Sequence, residues 1–194
     1  MHRARGIFPL LVAGARGYCT DTARGDFEDI FADIKLYGRL LGTEDAANRE
    51  VAKLRDRVAT VKNQPPGGSE DKGAAALIFG RDTPTISAYG DRSTVDQQLD
   101  ILGLRNVFGD VDKRLIEPNI EEIVDRNPEV VILLLQGTQT PQGVREVLRA
   151  RPELQNVTAV RDDDIIVLPS GFILPSPTSV EGLETLAREL DAIS

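Results

Sequence analysis

The side chains able to carry chemistry are few, and their spacing narrows them further. One histidine, His2, and one cysteine, Cys19, are all that the 194 residues offer of those types. No zinc or iron centre with nitrogen and sulfur ligands can be assembled from that pair, so a metal site would rest on carboxylates alone. Asp162, Asp163 and Asp164 form an acidic run. Neither the glycine nor the distal glutamate of a calcium loop accompanies them, and they read as a solvated turn before a strand. Ser170 and Gly171 do not make a nucleophile elbow, because the one histidine that could serve as base is the second residue of the chain. The glycines at 67, 68 and 73 lack the strand, turn and helix that a phosphate loop requires. No catalytic or metal-binding residue is assigned, and a binding protein is expected rather than an enzyme.

Charge and length exclude further classes. Net charge is −8, and 41% of residues are hydrophobic, enough for a packed core. Residues 1–73 carry 12 basic and 11 acidic side chains, whereas residues 74–194 carry 11 and 20. With no basic stripe or aromatic platform to meet phosphates, nucleic acid is not an expected partner. No stretch reaches the roughly 20 apolar residues of a membrane span. The start, MHRARGIFPLLVAGARGYC, has the basic end, apolar run and cysteine of a lipoprotein signal. Arg16, Gly17 and Tyr18 ahead of Cys19, and Pro9 within a short run, argue against one, and a strand over residues 7–12 is the better reading.

An ordered series of elements must position whatever site exists. DFEDIFADIKLYGRLLG, residues 26–42, reads as a helix with Asp26 as N-cap and Gly42 as stop. It places Phe27, Ile30, Phe31, Ile34 and Tyr37 on one face. A second helix starts at Thr43 with Glu44 and Asp45 in its first turn, and spaces Ala47, Val51, Leu54, Val58 and Val61 by alternating fours and threes. Ending near residue 63, it would be about 30 Å long, enough to brace two lobes. PPGGSEDKG, residues 65–73, is a linker or turn.

Beyond it, strands are expected at 74–79 and 85–89, then a helix over 94–102 with Thr94 and Gln97 in capping-box spacing. A helix from Asn119, with Glu122 completing its cap, ends before Pro128 and feeds VVILLL at 130–135, apolar on both faces like a buried parallel strand. Thr140 and Pro141 open a helix bearing Val144, Val147 and Leu148. A strand at 165–168 and a last helix from Thr178, with Val180, Leu183, Ala187 and Leu190, complete the chain. Strands alternating with helices predict a three-layer α/β lobe with a mostly parallel sheet.

The series DFEDIFADIKLYGRLLGTEDAANREVAKLRDRV, LDILGLRNVFGD, IEPNIEEIVDRNPEVVILL, LQNVTAVRDDDIIVLPS and SPTSVEGLETLARELDAI resembles the substrate-binding proteins of ABC importers for iron-siderophores, haem or cobalamin. Each motif is mostly a helix cap and an apolar face; the ordered set of five is what is specific. The resemblance implies two α/β lobes joined by one long helix, with ligand in a shallow cleft between them. It assigns residues 1–42 to a remnant of a first lobe, 43–64 to the connecting helix and 74–194 to the ligand-binding lobe. Most of the first lobe that the family carries ahead of residue 7 is missing from this sequence. Phe27, Phe31, Tyr37 and Leu41 are then expected to lack a partner surface, which favours self-association. Cys19 is read as an unpaired cysteine, with a disulfide partner in the missing lobe as the alternative.

In an open α/β sheet the cleft lies beyond the carboxyl ends of the strands. Three loops are expected there, residues 80–93, 136–140 and 169–178. Tyr89 and Arg92, Gln136 and Thr138, and Phe172 are the candidate ligand contacts. Arginine and tyrosine suit a metal chelate because they pair with carboxylate or catecholate oxygens and stack on flat groups, and helix N-termini favour an anion. The resemblance also implies that an acid near the start of one helix docks into the membrane permease; Glu121, seven residues before Pro128, has the matching position. The ligand so implied is a ferric siderophore, haem or a corrinoid, no resident cofactor is expected, and the parent protein works outside the cytoplasmic membrane. The alternative is a free-standing α/β enzyme lobe whose resemblance is only architectural.

Overall fold

Both faces of one sheet are apolar, and helices cover each. The computed structural model describes residues 25–80 and 85–193. Its elements run α1 (Phe27–Leu41), α2 (Glu44–Asn63), β1 (Gly73–Phe79), β2 (Ile86–Tyr89), α3 (Thr94–Ile101), β3 (Arg105–Asn106), β4 (Leu115–Ile116), α4 (Ile120–Arg126), β5 (Val130–Leu135), α5 (Pro141–Arg149), α6 (Thr158–Arg161), β6 (Ile165–Pro169) and α7 (Thr178–Ile193), with 3-10 turns at Pro152–Leu154 and Ser170–Ile173. The expected strand at 7–12, His2 and Cys19 lie outside the described residues.

The sheet order is β4-β2-β1-β5-β6, with β3 beside the start of β1. β1, β5 and β6 are parallel, with Ala74 opposite Val130 and Val131 opposite Ile165. Alternation along these strands feeds two cores. Ala74, Ala76, Ile78, Ile132, Leu134 and Ile166 face a cluster with Phe31, Val51, Leu54, Leu99 and Leu183, whereas Ala75, Leu77, Val131, Leu133 and Ile165 face Ile123, Val144, Leu148 and Val160. The three-layer, mostly parallel α/β arrangement expected from sequence is what forms.

Several caps are as expected because they are local. The Asp29 N–H donates to the Asp26 carboxylate at 2.7 Å, and Gly42 ends α1 at φ 68°. Asn119 accepts from the Glu122 N–H at 2.7 Å, and Thr140 from the Gly143 N–H at 3.1 Å.

Two expectations are corrected. Thr94 and Gln97 do not form a capping box. Ser93 is the N-cap of α3, while the Thr94 hydroxyl donates to the Gly25 carbonyl at 2.6 Å and the Gln97 side-chain oxygen accepts from the Phe27 N–H at 2.7 Å. Both side chains fasten α1 to α3, which satisfies a donor at the α1 N-terminus from outside the helix. Nor do Phe27 and Phe31 lack a partner: each is 2% exposed. The α1–α2 hairpin folds them into the same core as the sheet, α3 and α7. Tyr37 and Leu41, the other two of that set, are exposed, with Leu40 beside them at the far end of α1.

Candidate ligand-binding site

The parallel strands fix one end of the sheet as the place where loops converge. β5 and β6 both run with β1, so the chain emerges at the same end after Phe79, Leu135 and Pro169. β4 is antiparallel to β2 and so runs with β1, and the chain leaving it after Ile116 enters α4 toward the carboxyl ends of the parallel strands, the end that Glu121 shares with Gln136, Thr138 and Phe172.

The loop after β5 is shaped by a residue that sequence reasoning passed over. The Gln139 side chain accepts from the Gln136 N–H at 2.8 Å and donates to the Phe79 carbonyl at 3.2 Å. One amide therefore closes its own turn and ties it to the end of β1. Gly137, at φ 56°, takes the left-handed conformation inside that turn. Thr138 is left exposed at its tip, and Gln136 is half-buried. The available signal was glutamine at both ends of a four-residue QGTQ turn, a spacing that lets one side chain reach the other residue's backbone.

Phe172 sits in the 3-10 turn between β6 and α7, half-buried against the helical core. The Thr178 hydroxyl donates to the Gly171 carbonyl at 3.2 Å and so pins the turn to the start of α7. Gly182 passes beneath it: a Cβ there would lie 2.2 Å from the Phe172 carbonyl oxygen.

Tyr89 and Arg92 are not brought to this end. β2 is antiparallel to β1, pairing Leu77 with Ala88, so the chain after Tyr89 leads away from the carboxyl ends of β1, β5 and β6. Tyr89 is 4% exposed in the helical core. Burial raises its phenol pKa, and neighbouring Arg114 partly offsets that rise. Arg92 forms a two-armed ion pair with Asp112, and hydrogen bonds from residues 90–92 to carbonyls at 111, 113 and 114 seat this stretch beside the entry to β4. Residues 81–84 lie outside the described residues.

Glu121 is exposed, and its neighbour Glu122 is committed to Arg126 at 3.1 Å. Arg126 also holds Asp110 at 2.6 Å, which keeps that carboxyl below its ordinary range. Asp162 pairs with Arg161 and Asp163 with Arg149. Among the described residues no group of three or more histidine, cysteine or acidic side chains could hold a metal. A groove of about 630 Å³ lies elsewhere, lined by Asp96, Asp100, Arg105, Asn106, Asp110 and Arg126. Because Asn106 pairs with Ala74 at the start of β1, the groove is at the opposite end from the convergent loops.

The profile of the periplasmic binding protein family matches residues 18–171, and the chain belongs to that family. A protein of an ABC-type Fe3+-hydroxamate transport system from Saccharomonospora viridis is similar at 35% identity and a TM-score of 0.76, over 84% of this chain and 56% of that one. The periplasmic haem-binding protein RhuT from Roseiflexus sp. RS-1 shares the fold at 19% identity and a TM-score of 0.74, over 87% of this chain and 64% of that one. A cobalamin-binding protein of Halobacterium salinarum is 24% identical over 154 residues, 78% of this chain and 41% of its own length. The chain thus spans roughly half the length of such relatives. The family expected from the five sequence segments is the one found, and its members are binding proteins. Among the described residues, no helix is long and apolar enough to cross a membrane.

Proposed function

We propose that this chain is the ligand-binding lobe of an ABC-importer solute-binding protein that takes a metal chelate and does no chemistry of its own. The observation that carries the reading is the family match over residues 18–171 on a lobe in which the chain leaves β1, β5 and β6 at one end of the sheet. Gln136, Thr138 and Phe172 contact the ligand there. Tyr89 and Arg92 are left out of that contact set because β2 carries the chain away from it. The ligand is a ferric siderophore, haem or a corrinoid, and α2 is the connecting helix between this lobe and a first one. Glu121 docks to the permease on the outer side of the cytoplasmic membrane. Tyr37, Leu40 and Leu41 offer an apolar patch for self-association, which sedimentation across a concentration series measures.

The test is titration with ferrioxamine B, haemin and cyanocobalamin, followed by absorbance and calorimetry. It is run on the chain alone and on the chain joined to the first lobe of the Saccharomonospora viridis protein. Saturable binding of one chelate supports the reading. Binding of none by either protein sinks it.

A further inference from the structure

α3 buries Val95, Leu99 and Leu102 against the sheet, none of them measurably exposed, and Gln98 lies on that same apolar face at 1% exposure. An amide there is a poor choice for packing alone. Among the described residues its buried side-chain oxygen has no hydrogen-bond partner, an arrangement that costs stability compared with an apolar side chain of similar size. The nitrogen explains what the amide does. It donates to the Phe172 carbonyl at 2.9 Å and to the Ser179 carbonyl at 2.7 Å. Both partners are acceptors, so turning the amide over would set oxygen against oxygen, and this orientation is the one the surroundings allow.

We infer that Gln98 is a positioning residue for the ligand site, clamping the Phe172 turn to the first turn of α7. The inference rests on the proposed function only in that the turn faces ligand; the clamp itself is independent of any ligand. Phe172 follows β6 with no regular ladder of its own, and its carbonyl is wedged between Gln98 on one side and the Cβ-free backbone of Gly182 on the other. Gln98 thereby fixes where the Phe172 ring stands, from a place that ligand does not reach. Thr178, holding the Gly171 carbonyl, does the same for the preceding residue from the α7 side.

Amide hydrogen exchange over residues 170–178 of the ligand-free chain tests the clamp. Gln98→Met keeps length and removes the donor, Gln98→Glu keeps shape and sets a carboxylate against two carbonyls, and Leu148→Ala in the other core reports general destabilisation. Exchange over 170–178 is expected to rise about tenfold in Gln98→Met and further in Gln98→Glu, relative to segments on β5. Leu148→Ala should leave that ratio unchanged. Unchanged relative exchange in whichever Gln98 variant folds would overturn the inference. Titration of the same variants with ferrioxamine B adds a separate arm. If the unaltered chain binds, its Kd should rise about tenfold in Gln98→Met, and an unchanged Kd there also overturns the inference. If the unaltered chain binds no chelate, the exchange result alone decides the role of Gln98, and the functional reading fails only where the joined protein binds none either.

Discussion

Gly182 and the Phe172 carbonyl approach so closely that a Cβ on residue 182 would stand 2.2 Å from that oxygen and 2.7 Å from the Phe172 Cβ. The clash is with backbone, so no flexible side-chain end can yield. Gly182→Ala, although favourable to a helix interior by propensity, should therefore destabilise by about 1–3 kcal/mol through overpacking. Urea denaturation measures this, and a more stable variant would show that the 3-10 turn moves freely over α7.

Gln139 offers a prediction at the neighbouring loop. Gln139→Ala removes the bonds to the Gln136 N–H and the Phe79 carbonyl. A loss of about 1 kcal/mol per bond at most is expected from a half-exposed pair. With the loop as a wall of the proposed ligand site rather than core, chelate affinity should fall more than global stability. Equal losses in denaturation and in titration would argue that Gln139 serves the fold alone.

α2 is braced to α7 by Arg57 and Glu184, whose two hydrogen bonds measure 2.8 and 2.7 Å. The pairing with Arg57 lowers the Glu184 pKa, with partial burial opposing it. A glutamate depressed in the folded state stabilises above its unfolded value of about 4.3, and that contribution is lost as pH falls through the lower folded value. Both side chains are about one-third or more exposed, so a double-mutant cycle with Arg57→Ala and Glu184→Ala should give about 0.5–1 kcal/mol of coupling at neutral pH. The coupling should shrink toward zero below about pH 4. A cycle indifferent to pH would place the stabilisation in packing of the side-chain stems.

Glu121 and Glu122 are adjacent acids with different commitments, one exposed and one paired with Arg126. Under the proposed docking role, Glu121→Ala should leave stability within about 0.5 kcal/mol while abolishing stimulation of permease ATPase activity by the chain joined to a first lobe. Glu122→Ala should mildly weaken α4 and spare that stimulation. The reverse pattern would move the docking role to Glu122 or remove it from this helix.

Where an element is decided by neighbours in sequence, it was readable. Asp26, Asn119 and Thr140 cap their helices because each needs only an N–H three residues on. The run of β5 announces burial on both faces by itself. Thr94 and Gln97 show the limit of such reasoning: the spacing of a capping box is also the spacing that presents two side chains to another helix, and the α1 N-terminus took both. The direction of β2 was hidden for a related reason. Nothing in the strand at 86–89 states whether it continues parallel to β1 or turns back, so sequence alone places Tyr89 and Arg92 at the mouth that β2 leaves. Gln139 and Gln98 act on carbonyls from Phe79, Phe172 and Ser179, partners that no local pattern names.

The pairing of β1 with β5 sets how the lobe comes together in time. Ala74 pairs with Val130, and β2, α3, β3, β4 and α4 all lie between them. The central ladder cannot zip from a local turn, so loop-closure entropy is spent before the first parallel contact is made. During that interval VVILLL, the most apolar strand of the sheet, waits unpaired. Slow refolding, with losses to aggregation that grow with protein concentration, is the expected behaviour of this chain outside a chaperoned setting.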